Sequence, residues 1–226
     1  MIHPLQTLRQ KPWLSQTSET MAFIPEVNSV AAARIALRFI LAIIGVLFFL
    51  FVITYLARSQ YPDFQPLAGA PWQPFSDTSR LWLNTSVLAL ASLAMQAGIW
   101  STRKEQQNRT AIFISVAVFF TLLFLLAQLQ LWQQLSQLGF YVNSNPANSY
   151  FYLLTAVHGL HLVGGLIVLG YLVMKTWQQN SVAVIGEPLR LCAIYWHFLL
   201  CVWLVLFALL ASSPATINAL AAMCGF

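Results

Sequence analysis

The chain has 226 residues, of which 59% are apolar and only 8% charged, with a formal net charge of +5 and a mean hydropathy of +0.71. A water-soluble domain carries about a quarter charged residues, so this composition excludes one and specifies an integral membrane protein. No basic patch is interleaved with aromatics, which excludes a nucleic-acid partner and leaves the surplus cations to topology and anionic lipid.

Residues 1 to 33 are mixed and polar, with Pro4, Pro12 and Pro25, and read as a cytoplasmic arm. Residues 34 to 226 read as a single membrane domain. Within it, Phe39 to Ala57, Leu81 to Trp100, Thr110 to Trp132, Tyr150 to Met174 and Leu191 to Ser213 each lack Asp, Glu, Lys and Arg. Each run, as a helix, is long enough to cross a hydrocarbon core of about 30 Å. The alternating ten-residue segments of a membrane β-barrel are absent. The predicted fold is therefore all-α, an integral membrane bundle of five transmembrane helices.

The basic residues orient it. With the N-terminus cytoplasmic, Arg9, Lys11, Arg34, Arg38, Arg103, Lys104, Arg109, Lys175 and Arg190 fall inside and only Arg58 and Arg80 outside. That asymmetry obeys the positive-inside rule and puts the C-terminus in the periplasm. The first apolar run starts too late and is too long for a cleavable signal sequence, so it is expected to serve as its own insertion signal.

The connections differ in character. Arg58 to Arg80 holds Pro62, Pro66, Pro71, Pro74 and Trp72, which suits an ordered external loop lying at the interface without regular structure. Ser101 to Arg109 is short and charged, making spans two and three a tight antiparallel pair. Gln133 to Ser149 closes on Asn145-Pro146-Ala147-Asn148-Ser149, with Asn148 or Ser149 the expected helix cap. Lys175 to Arg190 returns on the cytoplasmic side. Cys192, Cys201 and Cys224 form no C-x-x-C pair and are expected to be buried, inert thiols.

Polar residues inside the spans mark contacts, because such groups need partners in hydrocarbon. In the second span Asn84, Ser92 and Gln96 recur at multiples of four beside Thr85, a stripe predicted to face another helix. The fourth stacks Thr155, His158, His161 and Gly165, with Gly159, Gly164 and Gly170 nearby to admit a neighbouring backbone. The fifth carries Tyr195-Trp196-His197-Phe198, then Cys201 and Trp203.

Three imidazoles at membrane depth admit two chemistries. They can ligate a metal or clamp a haem between helices, or they can fasten helices, lipid headgroups or subunits by hydrogen bonds. No carboxylate or cysteine pair is placed to complete a metal shell, so no metal is expected in this chain and fastening is the reading adopted. All six carboxylates (Glu19, Glu26, Asp63, Asp77, Glu105 and Glu187) fall outside the five charge-free runs, leaving no acidic proton relay. Neither a nucleophile with a base nor the charged ring or repeated half of a channel or carrier is present, so no catalytic residue is assigned.

Three blocks in this order resemble the subunit III family of haem-copper oxidases, especially bacterial cytochrome c oxidase in its five-helix form. They are Leu83-Asn84-Thr85, Phe151 through the His158-Gly159-Leu160-His161 motif to Gly165, and Tyr195-Trp196-His197-Phe198 with Val202-Trp203, covering roughly residues 35 to 212. The resemblance implies a non-redox subunit packed on catalytic subunit I, with subunit II alongside, in the bacterial inner membrane and in a complex that reduces O₂. Haems and copper would lie in those partners, with no cofactor in this chain. It also implies bound phospholipid, held in the family between the first two of seven helices and the rest; this chain looks like a form lacking those two. Arg34 and Arg38 are the candidate phosphate contacts. His158, His161, His197, Tyr195, Trp196, Asn84 and Thr85 carry over as structural or interface residues. Gly45, Leu200 and Leu131 stand where the family commonly has acids, which removes any carried-over proton role. Alternatives are subunit III of a quinol oxidase, a nitric oxide reductase accessory subunit, a haem-binding membrane cytochrome and a small transporter.

Overall fold

The computed structural model describes residues 29–68, 79–178 and 183–226. Arg9, Lys11, Pro4, Pro12, Pro25, Pro71, Trp72 and Pro74 lie outside the described residues, as do Glu19, Glu26 and Asp77. Among those described, all regular structure is helical: α1 (Ser29–Arg58), α2 (Ser79–Arg103), α3 (Gln107–Gln137), α4 (Pro146–Gln178), α5 (Ala183–Leu210) and α6 (Pro214–Met223). Five of these are long and apolar enough to cross a membrane, making this an all-α, multi-pass membrane protein. Ser29–Ile35 belongs with the preceding residues to one unit, and Ala36–Phe226 forms a second. In the first unit the described residues are the opening turns of α1, with Arg34 exposed. All that follows concerns the second.

The helices overrun the charge-free windows. At 33 residues, α4 is about 50 Å long, well beyond the hydrocarbon core. Absence of charge marks only the part in lipid, whereas a helix keeps its backbone satisfied through the headgroup layer as well. The α5 helix likewise reaches back past Glu187, which pairs with Arg190 at 3.7 Å in the second turn, so this carboxylate lies inside a helix. At the other end α5 stops at Leu210. Ser213, expected within the fifth span, instead accepts a hydrogen bond from the Thr216 N–H and caps α6, with Pro214 in its first turn. Ile217 and Ala221 of α6 are buried against the bundle end.

The cap of α4 also sits earlier than expected. Asn145 Oδ1 accepts from the Ala147 N–H at 3.2 Å, placing Pro146 at the first helical position. Asn148 instead buries its amide and donates to Ser144 Oγ at 2.8 Å, and Ser149 Oγ donates to the Val142 carbonyl. The same Asn145 reaches across to the loop after α1, where Gln65 N donates to its Oδ1 and its Nδ2 donates to the Gln65 carbonyl. That loop starts from a charged clamp: Arg58, over the Tyr61 ring, holds Asp63 with both guanidinium ends, one at 2.7 Å.

Four helices close a ring in which α2 packs on α3, α3 on α4, α4 on α5 and α5 on α2. The α2–α3 pairing is the most extensive, as the short charged turn between them dictates. Its core runs in three tiers along the bundle, centred on Leu154 and Leu206, on Phe124 and Trp203, and on Met95 and Leu189. The α1 backbone stands off from this ring, and side chains bridge the gap. Phe48 meets the rings of His158 and His161, and Tyr55 packs edge-on against Phe64 and Tyr150. An apolar groove of about 260 Å³ remains between Gly45, Phe48 and Val52 of α1 and Cys201, Val202 and Val205 of α5. Phe39, Ile43 and Phe49 leave the outer face of α1 apolar and exposed.

Close backbone approach occurs at one glycine of α4. A Cβ on Gly165 would stand 2.8 Å from the rings of both Tyr195 and Trp196, whereas Gly164 and Gly170 face open space and Gly159 meets only Leu125 at 3.6 Å. The cysteines divide too: Cys192 is buried, but Cys201, on the open α1–α5 groove, and Cys224, just past the end of α6, are exposed.

Two outcomes follow from these contacts. Gly165→Leu forces Tyr195 and Trp196 aside and should destabilise the bundle by about 1–3 kcal/mol in reversible unfolding from mixed micelles. Wild-type stability there would contradict the packing. The Arg58 guanidinium also holds the exposed Asp63 carboxyl below its usual range. A group depressed on folding stabilises the fold above its unfolded pKa and loses that contribution as pH falls through its folded value. The protection factor of the Phe64 amide, which donates to the Tyr61 carbonyl, should therefore fall on acidification below the carboxylate range, once the intrinsic pH dependence of amide exchange is divided out. Asp63→Asn should abolish that pH dependence.

Candidate functional site

A tryptophan indole carries one donor and no acceptor, and a threonine hydroxyl carries one donor and two acceptor positions. In this bundle three such pairs lock helix to helix. Trp203 of α5 donates to Thr85 Oγ1 of α2 at 3.0 Å, Trp196 of α5 to Thr121 of α3 at 3.2 Å, and Trp132 of α3 to Thr155 of α4 at 3.1 Å. Each hydroxyl in turn donates to the carbonyl four residues earlier on its own helix, Leu81, Ala117 and Phe151 respectively, at 2.7–2.8 Å. The back-bond fixes the hydroxyl hydrogen, so the free lone pair faces the neighbouring helix. All three threonines are buried.

The polar stripe of α2 continues the pattern and faces two helices. Asn84 Nδ2 donates to Gln128 Oε1 of α3 at 3.2 Å. Farther along, His197 of α5 enters between Ser92 and Gln96: its Nε2 donates to Gln96 Oε1 at 3.3 Å, and its Nδ1 accepts from Ser92 Oγ. The amide oxygen can only accept, so this ring is read as the Nε2–H tautomer.

The three histidines thus go to three environments. His197 is committed to α2. His161 donates Nδ1–H to the Val157 carbonyl of its own helix at 2.7 Å, and its own carbonyl accepts from the Tyr195 hydroxyl at 2.9 Å. His158 is fully buried among Phe48, Phe124 and Trp203, with ring centroids 6.3, 6.1 and 5.3 Å away. Neither of its ring nitrogens has a hydrogen-bond partner, a property shared by Gln128 Nε2 and Tyr55 Oη among the described buried atoms. His158 and His161 share the Phe48 ring, so this pair is one of the supports of α1, beside the Tyr55–Tyr150 contact. Three or more His, Cys, Asp or Glu side chains do not converge anywhere among the described residues.

The positions that resemblance would fill with acids are apolar in their surroundings as well. Gly45 faces Phe198 at ordinary van der Waals distance beside the apolar α1–α5 groove, Leu131 is buried in the core, and Leu200 packs at the edge of the central tier. Arg38, the remaining lipid candidate in this unit, is exposed on α1. What sequence reasoning missed is one member of each of two pairs, the acceptor Thr121 and the donor Trp132. Both belong to the seam as fully as Thr85 and Trp203, and their signal was a threonine or tryptophan in a largely apolar run. Phe48 and Phe124 carried none.

What the arrangement does chemically is fasten helices. Most of its buried polar groups are directed at one another, and its outward surface at membrane depth is mainly hydrocarbon.

Comparison with known proteins agrees with this geometry. The family model for cytochrome c oxidase subunit III matches residues 6–212. A probable cytochrome c oxidase subunit 3 from Mycobacterium leprae is 28% identical over 163 residues, 71% of this chain and 77% of that protein. The cytochrome c oxidase subunit 3 of Bacillus subtilis is 23% identical over 194 residues, 84% of this chain and 92% of its own. A cytochrome bo(3) ubiquinol oxidase subunit 3 from Buchnera aphidicola is 26% identical over 129 residues, 57% of this chain and 63% of its own. With nearly its whole length matched by that model, the chain belongs to the cytochrome c oxidase subunit III family, the third subunits of haem-copper oxidases.

Proposed function

We propose that this chain is the non-redox accessory subunit of a bacterial terminal oxidase of the cytochrome c type, seated in the inner membrane with its N-terminus cytoplasmic and its C-terminus periplasmic. It packs on catalytic subunit I, with subunit II alongside, and those partners hold the haems and copper that reduce O₂. Its own part is to assemble, to bind phospholipid and to shield the oxidase. The observation that carries this reading is the direction of the polar groups. His197, Tyr195, Trp196, Trp203, Asn84 and Thr85 all bond between helices, and His158 is sealed by aromatic rings. What is offered outward is the exposed apolar face of α1, a surface suited to a neighbouring subunit or to lipid. Arg38 on α1 is a candidate contact for lipid phosphate, and Arg34, in the unit before it, is another. The relatives named for cytochrome c align over more of this chain than the one named for ubiquinol, which supports cytochrome c as donor.

Purification of the tagged chain in mild detergent tests the assignment. It should bring down a haem-copper subunit I and a subunit II, and the complex should oxidise reduced cytochrome c. A complex that oxidises only quinol would move it to the quinol branch; a chain that purifies alone with a Soret band would replace the reading by a membrane cytochrome. Within that complex, His161→Ala loosens the rest of Phe48 and α1, so recovery of the chain with its partners should fall while the haem spectrum per subunit I stays constant. Loss of haem from subunit I in this variant would contradict a structural role.

A further inference from the structure

The turn between α2 and α3 holds a groove of about 340 Å³. Its walls combine Trp100 and Ser101 from the end of α2, Lys104 from the turn, and Arg109, Ile112 and Phe113 from the start of α3. Lys104 and Arg109 are both exposed, and the salt bridges among the described residues, Arg58–Asp63 and Arg190–Glu187, use neither. The turn carries three cations (Arg103, Lys104 and Arg109) against one exposed carboxylate, Glu105. Gln106 gives α3 no side-chain cap, so the helix start adds to the positive field there.

The lower part of the groove has the opposite character. Trp100 is 57% exposed at the helix end, the depth at which tryptophan marks a membrane interface. Ile112 is 56% exposed and Phe119, two turns deeper on the same face of α3, is 61% exposed. Cationic side chains therefore sit directly above a hydrocarbon lane that runs into the membrane. A free phosphate would use only the first; an anionic phospholipid uses both. A protein partner accounts for Arg109 and the aromatic rings but not for Lys104, because lysine is depleted at the buried centres of subunit interfaces.

We propose that this groove binds one anionic phospholipid, its phosphate between Lys104 and Arg109 and an acyl chain along Ile112 and Phe119. The site lies on a different turn from Arg34 and Arg38 and does not depend on the identity of the oxidase donor.

Native mass spectrometry tests it on the complex brought down with the tagged chain, delipidated and titrated with dioleoylphosphatidylglycerol or dioleoylphosphatidylcholine. The wild type should prefer phosphatidylglycerol. Removing both cations in Lys104→Gln/Arg109→Gln should weaken that lipid roughly 30-fold and leave phosphatidylcholine unchanged. Both side chains are exposed, so the fold tolerates their loss. Ile112→Gln, a second variant, should weaken phosphatidylglycerol with the cations intact, and inorganic phosphate should not displace the lipid. Equal binding of the two lipids by wild type, unchanged phosphatidylglycerol binding in the double variant, or displacement by phosphate alone would each overturn the proposal. So would loss of the large subunits from the double variant, which would make the groove a protein interface.

Discussion

A polar side chain at membrane depth has no water to turn to, and the fold is arranged around that constraint. Thr85, Thr121 and Thr155 meet it in one way: each hydroxyl donates backward to its own helix and accepts an indole N–H from another. The hydrophobic effect gives no preference for one neighbour over lipid here, since lipid tails are as apolar as leucine. Directional hydrogen bonds do. They pair α5 with α2 and α3, and α3 with α4, and large indole rings fill the space around each bond. Gly165 supplies the close approach of α4 to α5 that the rings of Tyr195 and Trp196 require.

The same constraint governs the imidazoles. His197 is a two-sided fastener between α5 and α2. His161 turns its ring to its own backbone and carries Tyr195 on its carbonyl, so it works mainly by shape. His158, enclosed by Phe48, Phe124 and Trp203, is the point where the seam is incompletely satisfied. Through Phe48 these last two help to set where α1 lies, and α1 presents a broad apolar face outward. The centre of the bundle is thus a cage of aromatic rings around His158, and among the described residues no carboxylate enters it.

Much of this was legible in the chain itself. Absence of charge located five spans because charge at membrane depth is costly, and the polar stripe of α2 announced its burial because polar groups recur where helices meet. The partners were not legible. Trp203 lies 118 residues from Thr85 and Trp196 lies 75 from Thr121, and no local periodicity encodes which distant hydroxyl an indole will find. Local signals were also passed over: Ser213-Pro214 has the composition of a helix start, and Asn145-Pro146 has it as well, yet a long apolar run and a richer Asn-Ser cluster drew the boundaries elsewhere. Gly164 and Gly170 show the converse, small residues whose presence suggested contact where the fold leaves open space.

The claim on which the account turns is that indole–hydroxyl pairs, and not apolar fit alone, hold these helices together. A double-mutant cycle on Thr121→Val and Trp196→Phe, read by reversible unfolding in mixed micelles, addresses it directly, because the cavity left by the smaller ring and the lost back-bond of the hydroxyl cancel around the cycle and leave the indole–hydroxyl coupling. The account predicts a coupling energy of about 0.6 kcal/mol or more, up to about 1.7. Strict additivity of the two substitutions would contradict it.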